Sequence, residues 1–168
     1  MKNITNSNAN SFLLAAFIFL YTSIFFLYFT WIFFQSWIDD YKFLPNNFET
    51  YADSHPLFSL MLFTIFGSVF GGLTLNITSL HRYVGVKKNL DIDHLWGYLM
   101  TPMLSIIIGI LIFCFLHSGL LILNGGSGGN HDETTVKIGY ISLGAICSYN
   151  WDIFIAKLQK MSNHISQK

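Results

Sequence analysis

The residues of this chain whose types could do chemistry are few and scattered. Asp91, Asp93 and His94 form an acidic and imidazole cluster of the kind that can hold a metal ion or pass a proton. The cluster falls in a polar loop between two apolar stretches. There Asp93 serves more simply as a cap on the helix that follows, with the rest of the loop solvated. The six histidines show no HxxxH or HExxH spacing. Cys114 and Cys147 stand apart in apolar stretches, outside any CxxC or Cys/His pattern, and read as small buried hydrophobes. The run GGSGGN, at 125–130, has the composition of a phosphate loop. It follows an apolar helix rather than a strand and lacks the GK[ST] ending. The expectation is a protein that is not an enzyme and has no cofactor, no metal site and no catalytic residues.

What must position these residues is a membrane. The 168 residues are 52% hydrophobic and 11% charged, against roughly 25% charged in a soluble domain. That leaves too little polar surface to cover a globule in water. Formal net charge is zero, so no global field would recruit nucleic acid.

Residues 1–10, polar and Asn-rich, read as a disordered tail. Four membrane segments follow at about 11–37, 56–80, 97–123 and 136–149. The first is too long and too uncharged for the apolar region of a cleaved signal peptide. Pro56 suits the first turn of the second segment. Pro102, one turn into the third, should start or gently kink it. The fourth has an uncharged core of only about 12 residues, short for a full span. It spans either jointly with Trp151–Ile155 or under the shelter of its neighbours. Residues 150–168 read as an amphipathic C-terminal helix, capped by Ser148 or Asn150, with Ile153, Phe154 and Leu158 on one face.

Charge sets the expected orientation. Lys2, the loop carrying Arg82, Lys87 and Lys88, and the tail with Lys157 and Lys160 are basic. The loop with Asp39, Asp40, Glu49 and Asp53 is acidic. The positive-inside rule then puts both termini in the cytoplasm, for a multi-pass protein of a bacterial inner membrane. Arg82, Lys87, Lys88, Trp151, Phe154 and Lys157 are the residues expected to meet a membrane surface or a soluble cytoplasmic protein partner.

The most patterned stretch is the second segment. Gly67 and Gly71 form GxxxG, and Gly72 follows. Thr64, Ser68, Gly72 and Asn76 recur every four residues, while Phe63, Phe66, Val69, Phe70, Leu73 and Ile77 cover the remainder. Small residues let helix backbones approach where lipid supplies no hydrophobic drive. Thr101, Ser105 and Gly109 form a matching stripe on the third segment. This face packs helices within one chain, or packs subunits of a homo-oligomer, or lines a pore. His117, near the outer end of the third segment, reads as an interfacial anchor or as part of an ion pathway.

The stretch from Phe66 to Gly85 and the next from His94 to Ile122 resemble a group of small bacterial membrane proteins. The shared features fall at Gly71, Gly72, Tyr83, Val84, Gly85, Trp96, Tyr98, Leu99, Pro102 and Gly119, with a further likeness over Leu143–Ser148. Thr101 and His117 stand where the group carries arginines. Proteins of this build are similar to transmembrane effectors of anti-phage systems, including retrons. The resemblance implies an all-α bundle that oligomerises through its second and third segments and disturbs the membrane when a soluble partner signals. The alternative is a structural or regulatory subunit of a larger membrane complex, without conduction.

Overall fold

The computed structural model describes residues 2–38, 55–87, 90, 94–119 and 133–166, and all its regular elements are helical. Helix α1 covers Lys2–Ile38, α2 Pro56–His81, α3 Leu95–His117, α4 Glu133–Tyr149 and α5 Trp151–Ser166. A π-helical turn, Arg82–Val86, prolongs α2. Three stretches are long and apolar enough to cross a membrane: Phe12–Ile38, Pro56–Val86 and Leu95–His117. The chain is thus an all-helical bundle of membrane-protein type. The expected loop regions at 39–54 and 120–132, with GGSGGN and part of the third segment, lie outside the described residues, as do Asp91, Asp93 and Lys88.

The polar start of the chain, expected to be disordered, is helical from Lys2. It contains no Gly or Pro, and a helix already nucleated by a long apolar run propagates with little further cost. Pro56 occupies the first turn of α2 as expected.

Helix α2 is the hub, touching α1, α3 and α4. On α4, a Cβ at Gly67 would fall on the Ile141 backbone, 2.8 Å from its Cα, and one at Gly71 would lie 2.9 Å from the Cα of Ala145. From the other side, a Cβ at Gly144 would lie 2.9 Å from the backbone N of Ser68. These contacts advance together along both chains, so α2 and α4 run parallel with their backbones touching. Helix α3 runs antiparallel to α2, with Gly72 against Thr101 and Ser105, and Gly109 against Ile65 and Ser68.

The α2 face expected from GxxxG is therefore used inside a single chain. Thr64, Gly67, Ser68, Gly71, Gly72 and Asn76 are all buried within the chain, which is the first of the three readings of this face, packing between helices of one chain.

The aromatic side of α2 is not a lipid-facing remainder either. Phe63 is 1% exposed. Its ring meets Trp37 and Phe33 of α1 edge-on, at 5.6 and 6.4 Å between centroids. Most of α1's other large apolar side chains, such as Phe19, Leu20, Leu27 and Phe34, are exposed and suited to lipid. Cys114 is also exposed and Cys147 only half-buried, against the expectation of buried cysteines. Helix α3 turns the Cys114 side away from the bundle.

Replacing Gly71 by Leu should destabilise the single chain, because the added atoms collide with the α4 backbone. Overpacking costs about 1–3 kcal/mol even where side chains can give way. The expected result is a lowered thermal midpoint in mild detergent at an unchanged particle mass. A reduced mass with an unchanged midpoint would instead put this glycine between subunits.

Candidate functional site

The chemistry of this fold gathers around Pro102. Proline has no N–H, so the carbonyl of Tyr98, four residues earlier, loses its helical donor. In an apolar bundle an orphaned carbonyl costs several kcal/mol. Asn76 of α2 answers it: its Nδ2 donates to the Tyr98 carbonyl at 3.2 Å. The Asn76 Oδ1 accepts from the hydroxyl of Thr101 at 2.8 Å. The neighbouring Leu99 carbonyl accepts from the Tyr21 hydroxyl of α1 at 3.3 Å. Three helices are thereby tied to one proline.

A second polar layer lies further along. Ser68 donates to the Gly144 carbonyl at 3.3 Å, linking α2 to α4. Ser148 donates to the Ser105 hydroxyl at 3.1 Å, linking α4 to α3. All three serines are about 2% exposed or less. Thr64 sits on the same face but bonds back to Leu60 of its own helix.

The Ser148–Ser105 contact fixes how far α4 reaches. Ser105 lies well inside α3, so α4 ends about 15 Å short of the start of α3 at 1.5 Å per residue. The break falls at Asn150. Its Nδ2 donates to the Ile146 carbonyl at 3.1 Å, closing α4, while its carbonyl accepts from the Phe154 N–H at 3.1 Å, opening α5. The Asn150 and Ser148 side chains bond to α4 and α3, so neither caps α5 as expected. A straight continuation would set Phe154 beside Leu99. Its ring instead lies 6.3 Å from that of Phe115, near the other end of α3. Helix α5 therefore turns back rather than completing a joint span.

Where α4 is missing, α2 and α3 enclose a cleft of about 540 Å³. Asn76, Thr101 and Ser105 lie along it, Ser148 and Trp151 close its inner end, and Tyr83 and His94 stand at its mouth. Lys87 holds its ammonium 4.9 Å from the centre of the Tyr83 ring. Among the described residues, buried side-chain polar atoms without a protein partner are Thr30 Oγ1, His94 Nδ1 and Tyr98 Oη. Two of those three residues line this cleft.

The structure thus brings Asn76, Thr101 and Ser105 together with Lys87 near the mouth, and sets Gly109 against Ser68. It leaves His117 apart. That ring is exposed, 3.4 Å from the Tyr140 hydroxyl and 4.5 Å from the Phe113 ring centre, outside the cleft. Arg82 and Lys157 are exposed. His94 occupies the N-cap position of α3 without a capping side-chain bond. No group of residues that could hold a metal occurs among the described residues. Sequence reasoning missed Tyr21, Tyr98 and Ser148 as partners, and also Lys137, which pairs with Glu133 at 2.8 Å. The missing proline donor was the signal that could have led to Asn76.

Comparison with protein-family models, with curated proteins and with solved structures finds no match.

The Asn76–Pro102 relation is open to a double-mutant cycle. Asn76→Leu leaves the Tyr98 carbonyl unpaired and should lower stability by about 1–3 kcal/mol. In a Pro102→Ala background the restored N–H can serve that carbonyl, so the same substitution should cost clearly less. Equal costs in both backgrounds, read by detergent unfolding, would show that Asn76 acts independently of the proline.

Proposed function

We propose that this chain is a membrane effector of a bacterial anti-phage defence system, disturbing the bilayer barrier by displacement of α4 when a soluble cytoplasmic partner signals. The observation that carries this reading is the early end of α4. Over the length that α4 does not cover, α2 and α3 flank a cleft with polar groups along it. The Thr64, Ser68, Gly72 and Asn76 stripe continues from that cleft along α2 behind α4. Displacing α4 would uncover the stripe and prolong the cleft into a polar path. Helix α5, hinged at Asn150 and mostly exposed, is the handle for such a movement.

The defence setting comes from the resemblance around Tyr83–Gly85 and Trp96–Pro102. The inner-membrane placement, with the N-terminus and the Arg82 and Lys87 turn cytoplasmic, comes from the distribution of lysine and arginine; the cytoplasmic C-terminus expected from the same rule does not go with an α5 that turns back toward Phe115. Copies of the chain would associate through the apolar surface of α1, because the seam of α2 is already filled.

A non-conducting subunit of a larger membrane complex is the second reading. It is favoured by the closure of the small-residue seam within one chain, which makes the bundle a finished packing unit.

A reversible lock separates the two. Ser105→Cys with Ser148→Cys, in a chain where Cys114 and Cys147 are replaced by Ser, places two thiols where hydroxyls now touch. Cells expressing the reduced form together with its partner should depolarise, as reported by a potential-sensitive dye. Oxidation should suppress the response and reduction restore it. Depolarisation unchanged by the lock would show that α4 does not move. No depolarisation in either state, at normal membrane levels of the protein, would favour the subunit reading.

A further inference from the structure

The cleft beneath α4 is built for an amphiphile, and three independent features say of which kind. Its volume, about 540 Å³, is that of a small-molecule site. Its walls are mainly apolar toward Leu104 and Ile108, and its lining includes the exposed Met100, so it opens sideways toward the hydrocarbon that surrounds such a bundle. Its other end is polar, with the Lys87 ammonium close by. His94 Nδ1 is buried there without a partner among the described residues, the Tyr83 and His94 ring centres are 4.7 Å apart, and Lys87 stands over Tyr83. Tyr98, 5% exposed, has a hydroxyl without a partner among the described residues and also lines the cleft.

We infer that the cleft binds one anionic phospholipid from the leaflet on the Lys87 side. The phosphate would lie by Lys87 and His94, and one acyl chain would run between α2 and α3 up to Trp151. The polarity gradient decides for a lipid over a free anion. A phosphate alone would leave the apolar part of the cleft unfilled and would meet only the mouth. It also decides against a neutral lipid, because the Lys87 ammonium near the mouth gains from net negative charge. A chain lodged here would support the Ser148–Ser105 contact from below. The inference stands whether or not the protein conducts.

Trp151 supplies the probe. With Trp31, Trp37 and Trp96 replaced by Phe, the full chain is placed in bilayers containing a small fraction of phosphatidylglycerol or phosphatidylcholine with brominated acyl chains, which quench tryptophan on contact. The expected result is saturable quenching that prefers phosphatidylglycerol. Lys87→Gln, a change at an exposed side chain, should reduce that preference by about fivefold, from about 1 kcal/mol per basic residue. Leu104→Phe, which narrows the cleft, should abolish the saturable component while leaving the mouth intact. Added inorganic phosphate should not compete. Equal, non-saturable quenching by both lipids, unchanged by either substitution, would mean ordinary lipid contact at an exposed tryptophan and would overturn the site. Competition by inorganic phosphate would show anion binding at the mouth without a chain in the cleft, and would equally overturn it.

Discussion

Everything in this bundle depends on how closely α2 and α4 can approach. Lipid offers no hydrophobic reward for joining two apolar helices, so dispersion at close range and hydrogen bonds across the contact must hold them. Gly67 and Gly71 on one side and Gly144 on the other bring the backbones into contact. At that separation the Ser68 hydroxyl reaches the Gly144 carbonyl. A larger residue at any of these positions would push α4 outward, separate Ser148 from Ser105 and dissolve the roof of the cleft.

The second constraint is the demand of backbone carbonyls for donors in an apolar medium. Pro102 removes one donor from α3, and the bundle answers with Asn76, Thr101 and Tyr21 from three helices. A kinked helix that would weaken a lone span becomes the point where α1, α2 and α3 are registered to one another. The same polar groups line the cleft, so the residues that stabilise the fold also set the chemistry of the space left by α4. Structure and candidate site are here one network seen from two sides.

How much of this was legible in the sequence follows from what each signal reports. Apolar length located α2 to within a residue, because hydrocarbon thickness dictates it. GxxxG and the four-step polar face identified the packing surface of α2, since helical periodicity puts those residues on one side. It could not say which helix would fill that surface, and the partner lay in a segment whose own signal, Gly144 and Ala145, is weak. The burial of Phe63 was not legible for a related reason: a hub helix is covered on several sides, and periodicity cannot distinguish a protein neighbour from lipid. The shortness of the fourth segment was visible, but its turn at Asn150 depends on tertiary contacts such as that of Phe154 with Phe115. The role of Asn76 was within reach, because a proline always frees a carbonyl. Finding the donor required knowing that α2 and α3 run antiparallel with Asn76 level with Thr101.

The cleft exists because α4 stops opposite the middle of α3 and α5 turns back along it, and that placement can be measured directly. Two double-cysteine chains, otherwise free of cysteine, carry either Phe115→Cys with Phe154→Cys or Leu99→Cys with Phe154→Cys. Under mild oxidation in native membranes, intramolecular cross-linking is read by a shift in gel mobility. A turned-back α5 predicts that the pair with position 115 cross-links and the pair with position 99 does not. The reverse pattern would mean that α4 and α5 form one continuous crossing, and the cleft would then be filled by the protein itself.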